Sequence, residues 1–213
     1  MNLLKRFRRN HKKEPMMNHT LKILIISDIF VFTGFGLISP ILAIFINDNL
    51  TGGSIFSAGL ASMIFLLTHA VLQIIFSRFF NPKDRLWMLR LGTGLIALVP
   101  IGYLFSTSIY HIYFVEFLYG LGAAFSYPSW SSLFTAYLEK GKRGFQYSIY
   151  SSGVGVGTAA TAAAGGWLAE HVNINLGFVN LTGFQIVFLL TGAIAFTGLL
   201  FLFKLNKKIL KRI

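Results

Sequence analysis

The residues of this chain that could do chemistry are a few ionisable and polar side chains set inside long apolar stretches. Glu116 is a carboxylate within one such stretch, and Asp28 and His69 lie in two others. A charged group inside a membrane costs roughly 2.5 to 3.5 kcal/mol unless it faces protein or water, so it marks a route for protons or a polar solute. The candidate pathway residues are Glu116, Asp28, His69, Gln73, Tyr119, Tyr127, Trp130, Gln146 and Tyr150.

These candidates also have structural interpretations, which the sequence leaves open. Glu116 could be satisfied by neighbouring hydroxyl groups, and Asp28 could be an acid wetted at the membrane surface. His69 could relay protons or could be a neutral, hydrogen-bonded packing residue. Tyr127 and Trp130 flank a proline that could kink the helix and free a carbonyl group, yet aromatic residues at helical spacing often only pack.

Two long predicted helices must position most of these side chains, and a basic hinge at residues 139–144 joins them. In the first helix, polar, small and aromatic residues recur at steps of three and four, which places them on one stripe: Glu116, Tyr119, Gly120, Ala123, Tyr127 and Trp130. In the second helix, small residues recur at every fourth position and predict close packing against a neighbour: Gly153, Gly157, Thr161 and Gly165.

The composition is that of a membrane protein. Hydrophobic residues make up 54% of the chain and charged residues 12%, with a mean hydropathy of +0.66, which is too apolar for a soluble domain. The net charge of +12 does not predict a nucleic-acid partner, because the basic residues lie between apolar segments rather than in one patch. The chain has no cysteine and no histidine or carboxylate set at metal-ligand spacing, so neither a metal nor a cofactor is predicted.

Six segments are long enough to cross a hydrocarbon core, which takes about 20 helical residues. They are predicted at residues 21–46, 55–80, 86–105, 109–138, 145–168 and 184–203. The predicted fold is therefore an all-α membrane domain over residues 21–203, with a basic leader at 1–20 and a basic tail at 204–213. A signal peptide is not expected, since the first apolar run is too long and lacks a cleavage site.

The distribution of positive charge predicts the orientation. All 19 Lys and Arg residues lie in residues 1–22, in the tail, or in and beside the connections between spans two and three and between spans four and five. Because cytoplasmic loops carry the excess of basic residues, both termini are expected in the cytoplasm of an inner- or plasma-membrane protein. Candidates for an ion-pair latch at this cytoplasmic face are Arg78, Asp84, Arg85 and Glu139.

The first three spans share a pattern with the last three. Residues Gly34-Phe35-Gly36 followed by Pro40 match Gly120-Leu121-Gly122 followed by Pro128, and residues 56–59 match residues 150–153. Three is an odd number of spans, so the two units would lie in opposite orientations, as inverted repeats do.

With its six spans, this repeat, a basic loop between spans two and three, and the run at 120–124 leading to Pro128, the chain resembles one half of a major facilitator superfamily transporter. The family's loop signature falls over residues 73–81, where Arg78 fits but Gln73, Ser77 and Phe80 replace two glycines and an aspartate.

Two other family motifs are also altered. Glu116 stands where many members carry an arginine, and Thr161 and Ala162 replace the glycine and proline of an antiporter signature. These departures concern coupling and direction of transport more than the fold.

The resemblance implies a half-size secondary transporter of a small solute, working by alternating access. Coupling to protons through Glu116 is a hypothesis that rests on the position of this carboxylate inside an apolar helix. Its first and fourth spans would line the cavity, with help from the second and fifth. Because six spans is an even number, two copies insert in the same orientation, so a homodimer or a pair with a separately encoded second half is expected. The alternatives are a six-helix scaffold or assembly protein that does not transport and a fragment of a longer transporter. Catalytic motifs are lacking, so an enzyme is not expected.

Overall fold

The computed structural model describes residues 16–79, 85–175 and 180–205. In these residues the chain forms seven helices and one short antiparallel ribbon. The helices are α1 (His19–Ile38), α2 (Leu42–Asn49), α3 (Ile55–Phe79), α4 (Arg85–Leu104), α5 (Ile109–Tyr137), α6 (Arg143–His171) and α7 (Gly183–Phe203). The ribbon pairs β1 (Ile174–Asn175) with β2 (Asn180–Leu181). Most of the predicted leader and tail lies outside the described residues.

Each predicted span corresponds to a helical stretch, but the first one is broken. The span predicted over residues 21–46 corresponds to α1 and α2 together, and the helix is interrupted between Ile38 and Leu42. Pro40 lies in the break, where it has no N–H to donate to a continuing helix. A proline does not always have this effect, since α5 continues through Pro128 and α4 through Pro100.

Four helical stretches of the described residues are long and apolar enough to cross a membrane. They are His19–Asn49, which joins α1 and α2, and the helices α3, α4 and α7. The other two long helices, α5 and α6, have 29 residues each. They are less apolar because α5 carries the polar stripe and α6 carries many Gly, Ser and Thr residues.

Side chains at the helix starts fix where several helices begin. The Asn18 carboxamide oxygen accepts from Leu21 N at 2.8 Å, and Ser108 accepts from Tyr110 N at the start of α5. Thr182 and Gln185 form a reciprocal capping box at the start of α7. These bonds satisfy backbone N–H groups that have no partner inside the helix.

The helices bring the chain's turns together at two ends of the bundle. One end carries Lys22, Arg90 and the hinge at residues 139–144, and is called the basic end. There, Asn18 Nδ2 donates to Tyr137 O, and the Arg90 guanidinium donates to Leu202 O and Leu205 O. At the opposite end, Thr51 pairs with Ser108 in a β-bridge. The start of α7 also packs on the end of α6 there. Consecutive long helices therefore run in opposite directions.

Packing in the bundle follows the repeat that the sequence predicted. Helix α1 packs mainly on α6 and α7, while α5 packs mainly on α3 and α4, and α4 contacts α7 between the two groups. Exchanging the first three spans for the last three converts α1–α6 into α5–α3 and α1–α7 into α5–α4, and it converts α4–α7 into itself. The chain is therefore an all-α fold of two inverted three-helix repeats.

The hydrophobic core is concentrated in the helices that pack on both sides. One cluster surrounds Tyr103, Ile112 and Phe188 near the opposite end, and another surrounds Leu24 and Leu89 near the basic end. In contrast, α6 buries only Gln146 and Gly165, and α3 exposes large apolar residues along its length. Helices α3 and α6 are thus the least buried of the long helices.

Candidate functional site

A cavity of about 300 Å³ lies between the two repeats, where α1 and α5 diverge. It is of the size that binds small molecules. Among the described residues that line it, Glu116 is the one with a formal charge. The lining residues are Phe32, Phe35, Gly36, Ile38, Ser39, Leu42, Ser62, Phe65, Tyr103, Glu116, Tyr119 and Thr158.

Glu116 is the buried carboxyl group of this cavity, with 4% of its surface exposed. Its Oε1 atom accepts a hydrogen bond from the Tyr103 hydroxyl at 2.6 Å. Tyr103 comes from α4, the helix that precedes α5 in the chain. A carboxylate can accept about four hydrogen bonds, so one phenol leaves capacity for a proton or a ligand cation.

Aromatic rings form the walls beside this carboxyl group. The Tyr119 ring lies 4.3 Å from the Phe65 ring and 4.9 Å from the Phe35 ring, measured between centroids. These three rings belong to α5, α3 and α1, so each repeat contributes to the wall. Ring faces attract cations and also contact flat apolar groups. The cavity therefore combines one acidic group with surfaces suited to an aromatic or cationic solute.

A larger groove of about 750 Å³ lies between α3 and α5, nearer the basic end. His69, Gln73, Arg78 and Tyr127 line it. The His69 Nε2 atom is buried and has no hydrogen-bond partner among the described residues. An unpaired polar atom in such a place is costly, so a solute or a water molecule is the expected partner.

Two phenols on α5 connect the groove with the cavity. Tyr127 lies 5.0 Å from the His69 ring, edge to face. Its side chain is hydrogen-bonded to that of Tyr119, which lines the cavity beside Glu116. Since hydroxyl groups both donate and accept hydrogen bonds, this pair forms a polar path through the apolar interior.

Asp28 lies on α1 toward the basic end and is half-buried. Its Oδ2 atom accepts a hydrogen bond from the Tyr150 hydroxyl of α6 at 2.6 Å. Trp130 lies beside this pair, with its ring 4.7 Å from that of Tyr150 and its Nε1 donating to Leu24 O. The structure thus groups Asp28, Tyr150 and Trp130, apart from the residues that line the cavity of Glu116.

Gln146 was predicted in the pathway, but it lines neither the cavity nor the groove. Its side chain is completely buried at the basic end. The Nε2 atom donates to Met16 O and the Oε1 atom accepts from Glu139 N, each at 3.0 Å. Gln146 thus connects the start of the chain to the hinge before α6, which is a structural position.

The four gate candidates are not joined in one network by the contacts of the described residues. Arg78 is exposed beside the groove, and Arg85 is the first residue of α4. Glu139 pairs with Lys142 inside the hinge at 3.3 Å. Asp84 lies outside the described residues, so the ion-pair latch stays a prediction.

The four small residues of α6 that were predicted to pack closely lie on the face that meets α1. Gly153 lies against Ile29, Gly157 against Thr33 and Gly165 against the backbone of Leu37. The Thr161 hydroxyl donates to Thr33 O at 2.7 Å. A Cβ atom at Gly157 or Gly165 would clash with these neighbours. The absence of side chains at these positions is what allows the two backbones to approach.

Sequence reasoning missed several residues of the site. Tyr103, Phe35 and Phe65 were not selected, although they contact or surround Glu116. Phenylalanine is frequent in this chain, so composition gives no reason to choose two of them. Tyr103 stands close to the turn that precedes α5, and this short connection is the one signal that could have placed it near Glu116.

Fold and cavity together define a polytopic membrane protein built from inverted three-helix repeats. Comparison with protein families extends this result, because the model of the Major Facilitator Superfamily matches residues 24–212. The match covers nearly all of the chain, and the chain therefore belongs to the Major Facilitator Superfamily.

Two curated relatives are similar to this chain. Both bear the name multi-drug resistance efflux pump PmrA, from Streptococcus pneumoniae serotype 4 (strain ATCC BAA-334 / TIGR4) and from Streptococcus pneumoniae strain ATCC BAA-255 / R6. Each is 29% identical over 180 residues, which is 83% of this chain and 42% of the relative. The chain thus spans less than half the length of the relatives it matches.

Proposed function

We propose that this chain is a half-size secondary transporter that moves a small solute across the plasma membrane by alternating access, with both termini in the cytoplasm. Two six-helix units would enclose a central pathway, and Glu116 would couple solute movement to protons. The observation that carries the proposal is the buried Glu116 carboxyl group in an aromatic-lined cavity between the two repeats.

Solute binding is supported by the chemistry of the cavity walls. A flat, apolar solute with a positive charge would fit the rings of Phe35, Phe65 and Tyr119 and pair with Glu116. The curated relatives are named as multi-drug efflux pumps. Export of drug-like organic cations is accordingly the solute class and direction that we propose, with no role as an enzyme.

Proton coupling is supported by the polar path along α5. Glu116 can hold a proton or a solute cation, but one negative charge neutralises only one of them. Competition between the two would make solute release depend on proton uptake. Tyr119 and Tyr127 continue the path toward His69 and the groove at the basic end.

Pairing of two units is supported by the open faces of α3 and α6. A side chain added at Gly59 of α3 or at Gly155 of α6 would contact nothing within 4 Å. A second copy of this chain in the same orientation would cover these faces and close the cavity. The latch at the cytoplasmic face, formed by Arg78, Asp84, Arg85 and Glu139, would then favour one access state.

Flux measurements in proteoliposomes test the transport function. Purified chain should move a lipophilic organic cation, such as a fluorescent phenanthridinium dye, when a pH gradient is imposed, and flux should stop when a protonophore removes the gradient. A six-helix scaffold would give no flux of any screened solute under any gradient. That result would refute the proposal.

Subunit counting tests the dimer separately. Gly155→Trp should convert dimers to monomers without unfolding, because the site is open within one copy. Ala193→Trp on α7, away from α3 and α6, is the matched control and should stay dimeric. A wild-type chain that is monomeric in lipid nanodiscs yet active in flux would contradict the homodimer. Activity only after addition of another six-helix chain would indicate a separate second half.

A further inference from the structure

The two carboxyl groups in the spans occupy equivalent positions in the two inverted repeats. Asp28 and Glu116 are 88 residues apart, and so are Gly34 and Gly122, and Pro40 and Pro128. Aligned in this register, three features of the first span coincide with three features of the fourth. The register differs by two residues from an alignment on the glycine pairs alone, which would match Gly34 with Gly120.

Packing contacts decide between these two registers. The neighbours nearest to Gly34 are Thr191, Ile194 and Ala195 of α7, and those nearest to Gly122 are Gly92, Leu95 and Ile96 of α4. Each residue of the first set lies 99 positions after its counterpart in the second set, as Thr191 does after Gly92. Gly120, in contrast, lies against Phe65 and Thr68 of α3. Gly34 is thus the equivalent of Gly122, and Asp28 is the equivalent of Glu116.

The two positions share a local chemistry as well. Asp28 accepts from the Tyr150 hydroxyl and Glu116 from the Tyr103 hydroxyl, both at 2.6 Å. The two tyrosines are not related by the repeat, since Tyr150 is on the fifth span and Tyr103 on the third. Each repeat has therefore obtained a phenol donor for its carboxyl group from a different neighbouring helix.

Equivalent residues of inverted repeats lie at similar depths from opposite ends. By helical rise, Asp28 is about 13 Å from the start of α1 at the basic end. Glu116 is about 10 Å from the start of α5 at the opposite end. Asp28 thus lies nearer the basic end of the bundle, and Glu116 lies nearer the opposite end.

No basic side chain shares either site among the described residues. Tyr103 of α4 and Tyr119 of α5 face Glu116, and the α1, α3 and α6 residues that line its cavity are not titratable. Tyr150 of α6 and Tyr127 of α5 face Asp28. Helix α7, which also packs on α1, has no titratable residue. Within the part of the chain that the structure describes, neither carboxyl group therefore has a cationic partner.

We propose that Asp28 and Glu116 are one proton site duplicated by the inverted repeat, with Asp28 exchanging protons with the face at the basic end and Glu116 with the opposite face. Each group takes up one proton to become a carboxylic acid and loses that proton when it becomes a carboxylate again. The phenols of Tyr127 and Tyr119 lie between the two groups. This inference rests on the proposed proton-coupled transport and assigns the second carboxyl group that such transport uses.

Side-specific labelling tests the inference without measuring transport. Dicyclohexylcarbodiimide crosses membranes and adds to a carboxylic acid in an apolar site, leaving a stable N-acylurea that mass spectrometry locates on a peptide. The full chain would be labelled in sealed vesicles of known orientation, with the pH lowered on one face at a time. Asp28→Asn and Glu116→Gln identify the two adducts by their loss.

Acidifying the face at the basic end should raise the adduct at Asp28 several-fold and leave that at Glu116 unchanged. Acidifying the opposite face should do the reverse. Tyr103→Phe should change the yield at Glu116 alone, and Tyr150→Phe the yield at Asp28 alone. The inference would be overturned if the adduct yields at both residues rose on acidification of the same face, or if neither yield responded to acidification of either face. If labelling is side-specific but the chain shows no flux, the two proton sites are supported and the transport proposal is refuted.

Discussion

The helix pairs α1–α6 and α5–α3 each join the two repeats and are equivalent when the repeats are exchanged, but their contacts differ. Between α1 and α6, small residues let the backbones approach, and Thr161 donates to a backbone carbonyl group. Between α5 and α3, one such approach occurs at Gly120, against Phe65 and Thr68, and aromatic rings pack as well, Phe65 beside Tyr119 and Phe76 on Phe125. The same architecture is thus compatible with a series of close backbone contacts or with one such contact and aromatic packing, because lipid supplies no hydrophobic drive that favours one of them.

The two helix pairs also supply different groups to the lining of the cavity. The α5–α3 pair supplies the carboxyl group and two of the three rings around it, while the α1–α6 pair supplies a third ring and Thr158. Substitutions in the two pairs should therefore have different consequences. Those between α1 and α6 should mainly affect stability, and those between α5 and α3 should affect stability and solute binding together.

The largest effect is expected for Gly165→Leu. Its new side chain would meet the backbone of Leu37, which cannot move aside as a flexible side chain could. Overpacking usually costs about 1 to 3 kcal/mol, and a backbone clash should place this variant at or above about 3 kcal/mol. Gly166→Leu is the matched control, since nothing lies within 4 Å there. Thermal unfolding in detergent should separate the neighbouring variants, and equal melting temperatures would refute the close contact.

A smaller loss is expected for Phe65→Ala in the other pair. Removing this half-buried ring takes away its contact with Tyr119 and should lower the free energy of unfolding by about 2 kcal/mol. It should also weaken binding of the cationic dye, as measured by its fluorescence. Leu66→Ala, at a residue that is 57% exposed, is the control. Unchanged dye affinity in Phe65→Ala would remove this ring from the solute site.

Thr161→Val should have a still smaller effect. The variant keeps the shape of the side chain but loses the hydrogen bond to Thr33 O, which is worth about 1 kcal/mol inside a membrane bundle. Thr197→Val is the control, because its hydroxyl bonds within its own helix, to Ala193 O. A destabilisation no larger than that of the control would show that approach of the backbones alone holds α1 and α6 together.

The smallest effect is expected for Glu139→Gln. The pair with Lys142 is partly exposed, and such ion pairs contribute less than about 1 kcal/mol. The variant should melt within a degree or two of the wild type. A clear change in the ratio of inward to outward flux, at unchanged stability, would support the latch at the cytoplasmic face. A large loss of stability would contradict the peripheral role.

Much of the fold could be predicted because the bilayer acts as a simple solvent. Long apolar runs must form helices across it, so the predicted and observed helix ends differ by only a few residues. The small residues of α6 were also recognisable, since a four-residue period places them on one face. The break at Pro40 was missed because Pro100 and Pro128 show that a proline inside a span need not end a helix.

The site was less predictable, because contacts between helices depend on rotation about each helix axis. Glu116 stood out as an acid in an apolar run, but nothing in the sequence showed that Tyr103 would be its partner. Gln146 was assigned to the pathway because it is a polar residue near Tyr147 and Tyr150 in one span. Its side chain instead bonds to the chain segments at the basic end.

The most direct test of the account is pH-driven flux of an organic cation by Glu116→Gln in proteoliposomes. Glu170→Gln is the matched control, since Glu170 is an exposed carboxyl group at the end of α6. If Glu116 couples transport to protons, Glu170→Gln should retain wild-type flux, whereas Glu116→Gln should fold and form dimers but lose the dependence of flux on the pH gradient. Wild-type pH-driven flux in folded Glu116→Gln would contradict the proposed role of this carboxyl group.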